Sequence, residues 1–256
     1  ENYLVEESQL AAYTIRYYTD NFPSLNSLYG DDEMATDNAT TRNSSNRYLI
    51  GEWKTPASGG EWNFNNIYTL NYFIQSTEKN LETGSIKGNS TNIKHYIGEG
   101  YFLRAYQYFY RLRKLGDFPI IKEVLPDNKE ALVEASKRQP RNEVARFILQ
   151  DLDKAIEYLT NNPDGGKARI TKNAALVLKA RVALFEATWE KYHAGTALVP
   201  NGKGWPGAEK DYNKGYQFPS GSPEAEVNFF LDQAINASQT VANAVALTAN
   251  NGSIQQ

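Results

Sequence analysis

Apolar residues recur along this chain at spacings of three and four, and polar loops separate the segments where they do so. The pattern predicts helices and no run of alternating strands. A first helix is predicted over residues 4–18, before Asn21-Phe22-Pro23, where proline forbids continuation. Residues 23–60, dense in Asp, Asn, Thr, Ser and Gly, read as a loop. A second helix over 62–80 carries Phe64, Ile67, Leu70, Phe73 or Ile74, and Thr77 on one face. The cleanest stripe is Val144, Ile148, Leu152, Ala155 and Leu159, on a helix that Asn142 is placed to cap. Thr171 is placed to cap the next, which runs to Tyr192 and whose alanines allow close approach. Residues 193–223 form a Gly- and Pro-punctuated loop of unusual length, and a last helix is predicted over 224–247.

Between these lies "GEGYFLRAYQYFYRLRKLGDFPI", residues 98–120, in a helix predicted over 92–115 with Gly116 as its stop. Its aromatic, leucine and alanine positions cover roughly two thirds of the helix circumference, so it must be packed on two or three sides. The rings are therefore expected to be core rather than the wall of a ligand groove. The narrow remaining face holds Arg104, Gln107, Arg111 and Lys114 and is expected to be solvated or to face a partner. "FLRA" at Phe102–Ala105 returns as "VLKA" at Val177–Ala180, an offset of about 75 residues and a faint repeat of the kind that stacked helix pairs leave. The fold class expected is all-α, in tetratricopeptide-like (TPR-like) helix pairs with long loops.

Composition narrows the chemistry. In 256 residues, 41% hydrophobic, there is ample material for a core. The net charge of -3 gives no broad basic field, so nucleic acid is not an expected partner. The chain has no cysteine and only His95 and His193, which removes thiol chemistry and makes neither a metal site nor any other cofactor an expectation. The adjacent acids Asp31, Asp32 and Glu33 fan out rather than converge as a catalytic pair must, and no phosphate-cradling glycine loop is found, so no enzyme is expected.

What remains are candidates for binding. Trp53 and Trp62 flank a loop-to-helix transition, with Asp31, Asp32, Arg42, Arg47 and Asn65 around them in sequence. An indole plane can cover the C–H face of a sugar while Asp, Asn and Arg satisfy its hydroxyls. Equally, Trp62 can pack at the helix start and the acids can merely turn the chain. Trp205, in the long loop, can bind a ligand or pin the loop to the body.

Four blocks, "WNFNNIYTLNYFI" at 62–74, "EGYFLRAYQYFYRLRKLGDFPI" at 99–120, "RNEVARFILQDLDKAIEYL" at 141–159 and "RITKNAALVLKARVALF" at 169–185, together resemble the SusD/RagB family. The resemblance implies a surface lipoprotein of Bacteroidetes-type bacteria, held at the outer face of the outer membrane. Such a protein captures glycans or other nutrients without catalysis and hands them to a SusC-like TonB-dependent transporter. It also implies that Trp62 and Asn65 contact ligand; Trp53, Asp32, Arg42 and Trp205 remain candidates on the reading of the residues alone. Family members are longer, begin at a lipidated cysteine and carry a C-terminal half. Against that pattern the chain, 1–256, is expected to be a single N-terminal helical region without its lipid anchor. A TPR-type protein–protein scaffold and a helical carbohydrate-active enzyme are the alternatives.

Overall fold

A computed structural model describes residues 3–22, 60, 62–246 and 248. Among them are seven α-helices: α1 (Glu7–Asn21), α2 (Asn65–Glu82), α3 (Ser90–Leu115), α4 (Lys129–Ala135), α5 (Arg141–Tyr158), α6 (Lys172–Tyr192) and α7 (Pro223–Asn243). The all-α expectation holds, and so does the arrangement in packed helix neighbours. The aromatic helix α3 lies centrally against α1, α2 and α5; α5 packs on α6, and α6 on α7.

Local chemistry sets the boundaries. The first helix starts later than the periodicity predicts because Glu6 and Gln9 form a reciprocal capping box. Leu4, at φ 63°, turns its side chain fully into the core instead. Asn89 accepts hydrogen bonds from the backbone N–H groups of Thr91 and Asn92 to open α3. Gly116 closes it at φ 70°, a left-handed value that glycine adopts without a Cβ clash. Thr171 caps α6 as predicted, its hydroxyl accepting from Ala174 N at 3.2 Å. Asn142 does not cap α5: Pro140 holds that position, and Asn142 is buried inside the first turn. Its amide donates there to Tyr216 Oη at 2.8 Å and Glu226 Oε1 at 3.1 Å. The short helix α4 was not predicted. None of its residues is buried, so it has no apolar stripe to read, and it rests on the Asn128 cap.

Half of the six rings at 101–110 of α3 are core, while Tyr101, Tyr106 and Tyr110 are half-buried. Phe102, Tyr108 and Phe109 are buried. Tyr108 meets Phe147 of α5 edge-on at 4.8 Å, and its hydroxyl accepts a hydrogen bond from Ile121 N at 2.8 Å. Gly100 lets α2 approach, since a Cβ there would come within 2.7 Å of the Phe73 ring.

The polar face of α3 corrects the sequence reading. Arg104, Gln107 and Arg111 are buried, not solvated. Arg104 clasps Asp151 of α5 with two bonds of 2.7 Å and donates to Asn71 Oδ1 at 2.8 Å. Gln107 donates to Asn21 at the end of α1. Arg111 Nη2 donates to the Asn63 carbonyl at 2.7 Å. Lys114, the fourth residue of that face, is exposed as expected, whereas packing on α1, α2 and α5 buries the other three, and each buried group must then find a partner.

The last helix docks on α6 through Phe230 and Ala234, which belong to the continuous core; Val227 and Leu231 pack partly exposed against it.

Candidate functional site

The segment before α2 does not join the helix, because two interactions hold it across the end of α3. Arg111 grips the Asn63 carbonyl, and Asn63 Oδ1 accepts a bond from Asn65 N at 2.8 Å, which starts α2 at Asn65 instead of Trp62. Trp62 is thereby left standing at the surface, 44% exposed. Its ring meets Phe118 edge-on at 5.1 Å and Phe64 at 5.8 Å, while those two phenyl rings stack at 5.0 Å. The Arg138 guanidinium lies 4.5 Å from the indole centroid, a cation–π contact that fixes the ring's orientation.

Phe64 continues into a groove of about 390 Å³ between α2 and the segment leading into α4. Tyr68, Leu125, Asp127 and Leu132 stand along its walls, and Tyr68 is 54% exposed. Buried Asn71 forms its anchor, with its side-chain amide donating to the carbonyls of Ile121 at 2.9 Å and Glu123 at 3.2 Å. Gln75 Oε1 accepts from Val124 N at 3.2 Å. These bonds strap residues 121–124 to α2. Three rings of this stretch are half-exposed, Trp62 ahead of α2 and Tyr68 and Tyr72 one turn apart on it, and Asn65 in the first turn of α2 is exposed as well. Aromatic planes with amide and carboxylate groups at their edges suit a polyhydroxylated ligand.

Of the residues singled out from sequence, Trp62 and Asn65 stand at this surface. Trp53, Asp32 and Arg42, like Asp31 and Arg47, lie outside the described residues. Trp205 is turned inward: it is 3% exposed, and its indole N–H donates to Asp117 Oδ2 at 2.7 Å. Asp117 also accepts from Arg141 N at 2.9 Å, and its burial pushes the carboxyl above the usual carboxylate range despite those two bonds. This contact pins the long loop to the end of α3. Trp205 and Arg138 both border a neighbouring cleft of about 280 Å³, so Arg138 sits between the two tryptophans. Sequence reasoning missed Tyr68 and the 121–136 wall; the spacing Trp62, Tyr68, Tyr72 around a helix start was the available signal.

No group of three or more metal-ligating side chains occurs among the described residues, and none of their helices is long and apolar enough to cross a membrane.

Half-exposed rings beside a strapped groove, on stacked helices, define the class as an all-α helix-pair protein with a candidate binding surface. A family model described as "starch-binding associating with outer membrane" matches residues 3–184, and the chain belongs to that SusD-like family. It is 30% identical over 118 residues to SusD-like protein P2 of Formosa agariphila, a stretch covering 46% of this chain and 23% of that protein. A solved SusD-like protein from Bacteroides fragilis is 30% identical over 49% of this chain and 24% of its own, with a TM-score of 0.39. The SusD homolog from Bacteroides thetaiotaomicron shares the fold at a TM-score of 0.53, over 97% of this chain and 42% of that one, at 16% identity. The chain thus spans less than half the length of each of these proteins.

Proposed function

We propose that this chain supplies part of the ligand face of a non-catalytic glycan-binding protein at the outer surface of the outer membrane. The observation that carries the reading is the half-exposed Trp62, oriented by Arg138 and continuous through Phe64 with the groove. The family's starch-binding description supports a glycan as the ligand class. In this reading Trp62 covers a pyranose face, Asn65 and Asp127 take its hydroxyls, and Tyr68 extends the platform to a further sugar unit. A lipid anchor borne outside these residues holds the protein at the membrane, and the glycan passes to a SusC-like TonB-dependent transporter. Trp53, Asp32 and Arg42 are further candidates for the same face. Trp205 serves as the loop's anchor in this proposal rather than as a contact.

Calorimetric titration of the full-length protein with maltoheptaose, followed by a panel of other oligosaccharides, tests it. Trp62→Ala is expected to weaken binding at least tenfold, about 1.4 kcal/mol, with the melting temperature nearly unchanged. Equal affinity in the variant removes Trp62 from the site. Release of reducing ends over time overturns the non-catalytic reading, and failure to co-purify with a TonB-dependent barrel from native membranes overturns the transport partnership.

A further inference from the structure

Buried arginine–carboxylate pairs tie this bundle together. Arg104 meets Asp151 at 2.7 Å, Arg141 meets Glu186 at 2.7 Å, Arg146 meets Glu226 at 2.6 Å and Arg169 meets Glu99 at 2.9 Å. In each of these pairs the carboxylate is buried and bonded by a guanidinium, with the Tyr18 and Thr14 hydroxyls completing Glu99. Glu190 breaks the rule. It lies one turn beyond Glu186 on α6, is 5% exposed, and neither of its carboxyl oxygens has a hydrogen-bond partner among the described residues.

The cause is a mismatch of charge. Glu186, Glu190 and Glu226 interact with one another, and the guanidiniums within their reach are Arg141 and Arg146. Arg141 is committed to Glu186 through Nε and Nη2. Arg146 is committed to Glu226 in the same bidentate way. Glu190 is left over, and it borders a groove of about 370 Å³ between the end of α6 and the start of α7. Val227, Leu231 and Ala194 give the groove its apolar walls, with Lys191 and Glu224 also on its border.

We propose that this groove is the docking site of a polypeptide partner that inserts an arginine, its guanidinium on Glu190 and its apolar neighbours on Val227 and Leu231. Both oxygens are sealed from solvent, so a guanidinium reaches them when the Glu190 side chain turns into the groove; two unpartnered acceptors side by side then match a planar two-pronged donor, as Asp151, Glu186 and Glu226 already show. A lysine would satisfy one oxygen and leave the other without a partner. A metal ion is disfavoured because no three ligating side chains converge there among the described residues.

The proposal carries a signature in protons. Burial, reinforced by the charges of Glu186 and Glu226 against those of Arg141 and Arg146, pushes the empty Glu190 carboxyl up to about 9. At pH 7 it is therefore a neutral acid, and a guanidinium bound to it favours the carboxylate. The proton leaves to the buffer as the cation arrives, so docking at pH 7 releases about one proton.

The test titrates the 256-residue chain with the capped tripeptide leucyl-arginyl-leucine amide. It is run at pH 7 in phosphate and in Tris, whose different heats of ionisation report the protons exchanged. The expected result is saturable binding with release of about one proton per peptide. The counterpart carrying neutral citrulline in place of arginine should bind at least tenfold more weakly and release none. Glu190→Gln, close in shape to the neutral acid, should weaken the arginine peptide similarly and abolish the proton release. Lack of saturable binding at millimolar peptide, or equal affinity for the citrulline peptide, overturns the proposal. Should the variant fail to fold, the two peptides on the unmodified chain still decide it. None of these outcomes bears on Trp62 or on glycan binding.

Discussion

The two tetrapeptides that suggested a repeat, Phe102–Ala105 on α3 and Val177–Ala180 on α6, lie on helices that flank α5 and put their third-position cations onto it from either side. Arg104 reaches Asp151, and Lys179 reaches Asp153 at 2.6 Å. The surroundings then diverge. α3 is enclosed by α1, α2 and α5, so Phe102 is buried, whereas α6 has neighbours on only part of its circumference and Val177 is 54% exposed. Similar sequence at equivalent places yields a core ion pair in one helix and a surface ion pair in the other. Neighbours, more than residue types, set what a charged side chain contributes.

Deleting the acid of each pair separates the two helices by energy. Asp151→Ala leaves Arg104 buried without its counter-charge and is expected to cost about 3–5 kcal/mol in urea denaturation. A loss below about 1 kcal/mol would mean that water reaches Arg104 and that α3 is less enclosed than its burial indicates.

The next effect lies on α6 and is a gain in stability. The folded Glu190 holds its proton up to about 9 against an ordinary value of 4.5, so the folded state binds more protons than the unfolded one between those values. The unmodified chain therefore loses stability as pH rises from 4.5 towards 9. A Glu190→Gln variant lacks this loss. Measured against the parent, it should be nearly neutral at pH 4 and more stable by on the order of 2 kcal/mol at pH 8. A difference that does not change with pH would show that Glu190 is solvated or already paired.

Asp153→Ala gives the smallest effect. With Asp153 57% exposed, its pair with Lys179 is screened by water, and a change within about 0.5 kcal/mol is expected. A cost near that of Asp151→Ala would erase the distinction between the two helices.

How far each region was legible in sequence follows the same division. Val144, Ile148, Leu152, Ala155 and Leu159 are all buried, because one apolar stripe facing one core is a local property of the chain. The fate of Arg104 was not legible, since its carboxylate partner stands 47 residues away on another helix. Trp205 is a similar case: its indole partner Asp117 is 88 residues distant, and nothing near the tryptophan in sequence announces it. At the candidate site, Trp62 and Asn65 could be singled out because a tryptophan and an amide at a helix start are visible in one dimension. The opposite wall was hidden, because it depends on Asn71 bonding backbone carbonyls of a segment with no pattern of its own.

That buried asparagine bears on timing as well as shape. With the 121–124 segment fastened to α2 before any ligand arrives, an incoming molecule meets a finished wall and does not wait for one to assemble. Under the proposed binding role, capture proceeds at a rate set by encounter and orientation, and retention by how well rings and amides fit the guest. The Val124 amide, whose hydrogen is tied to Gln75, should exchange with deuterated water at a similar pace whether the groove is empty or full.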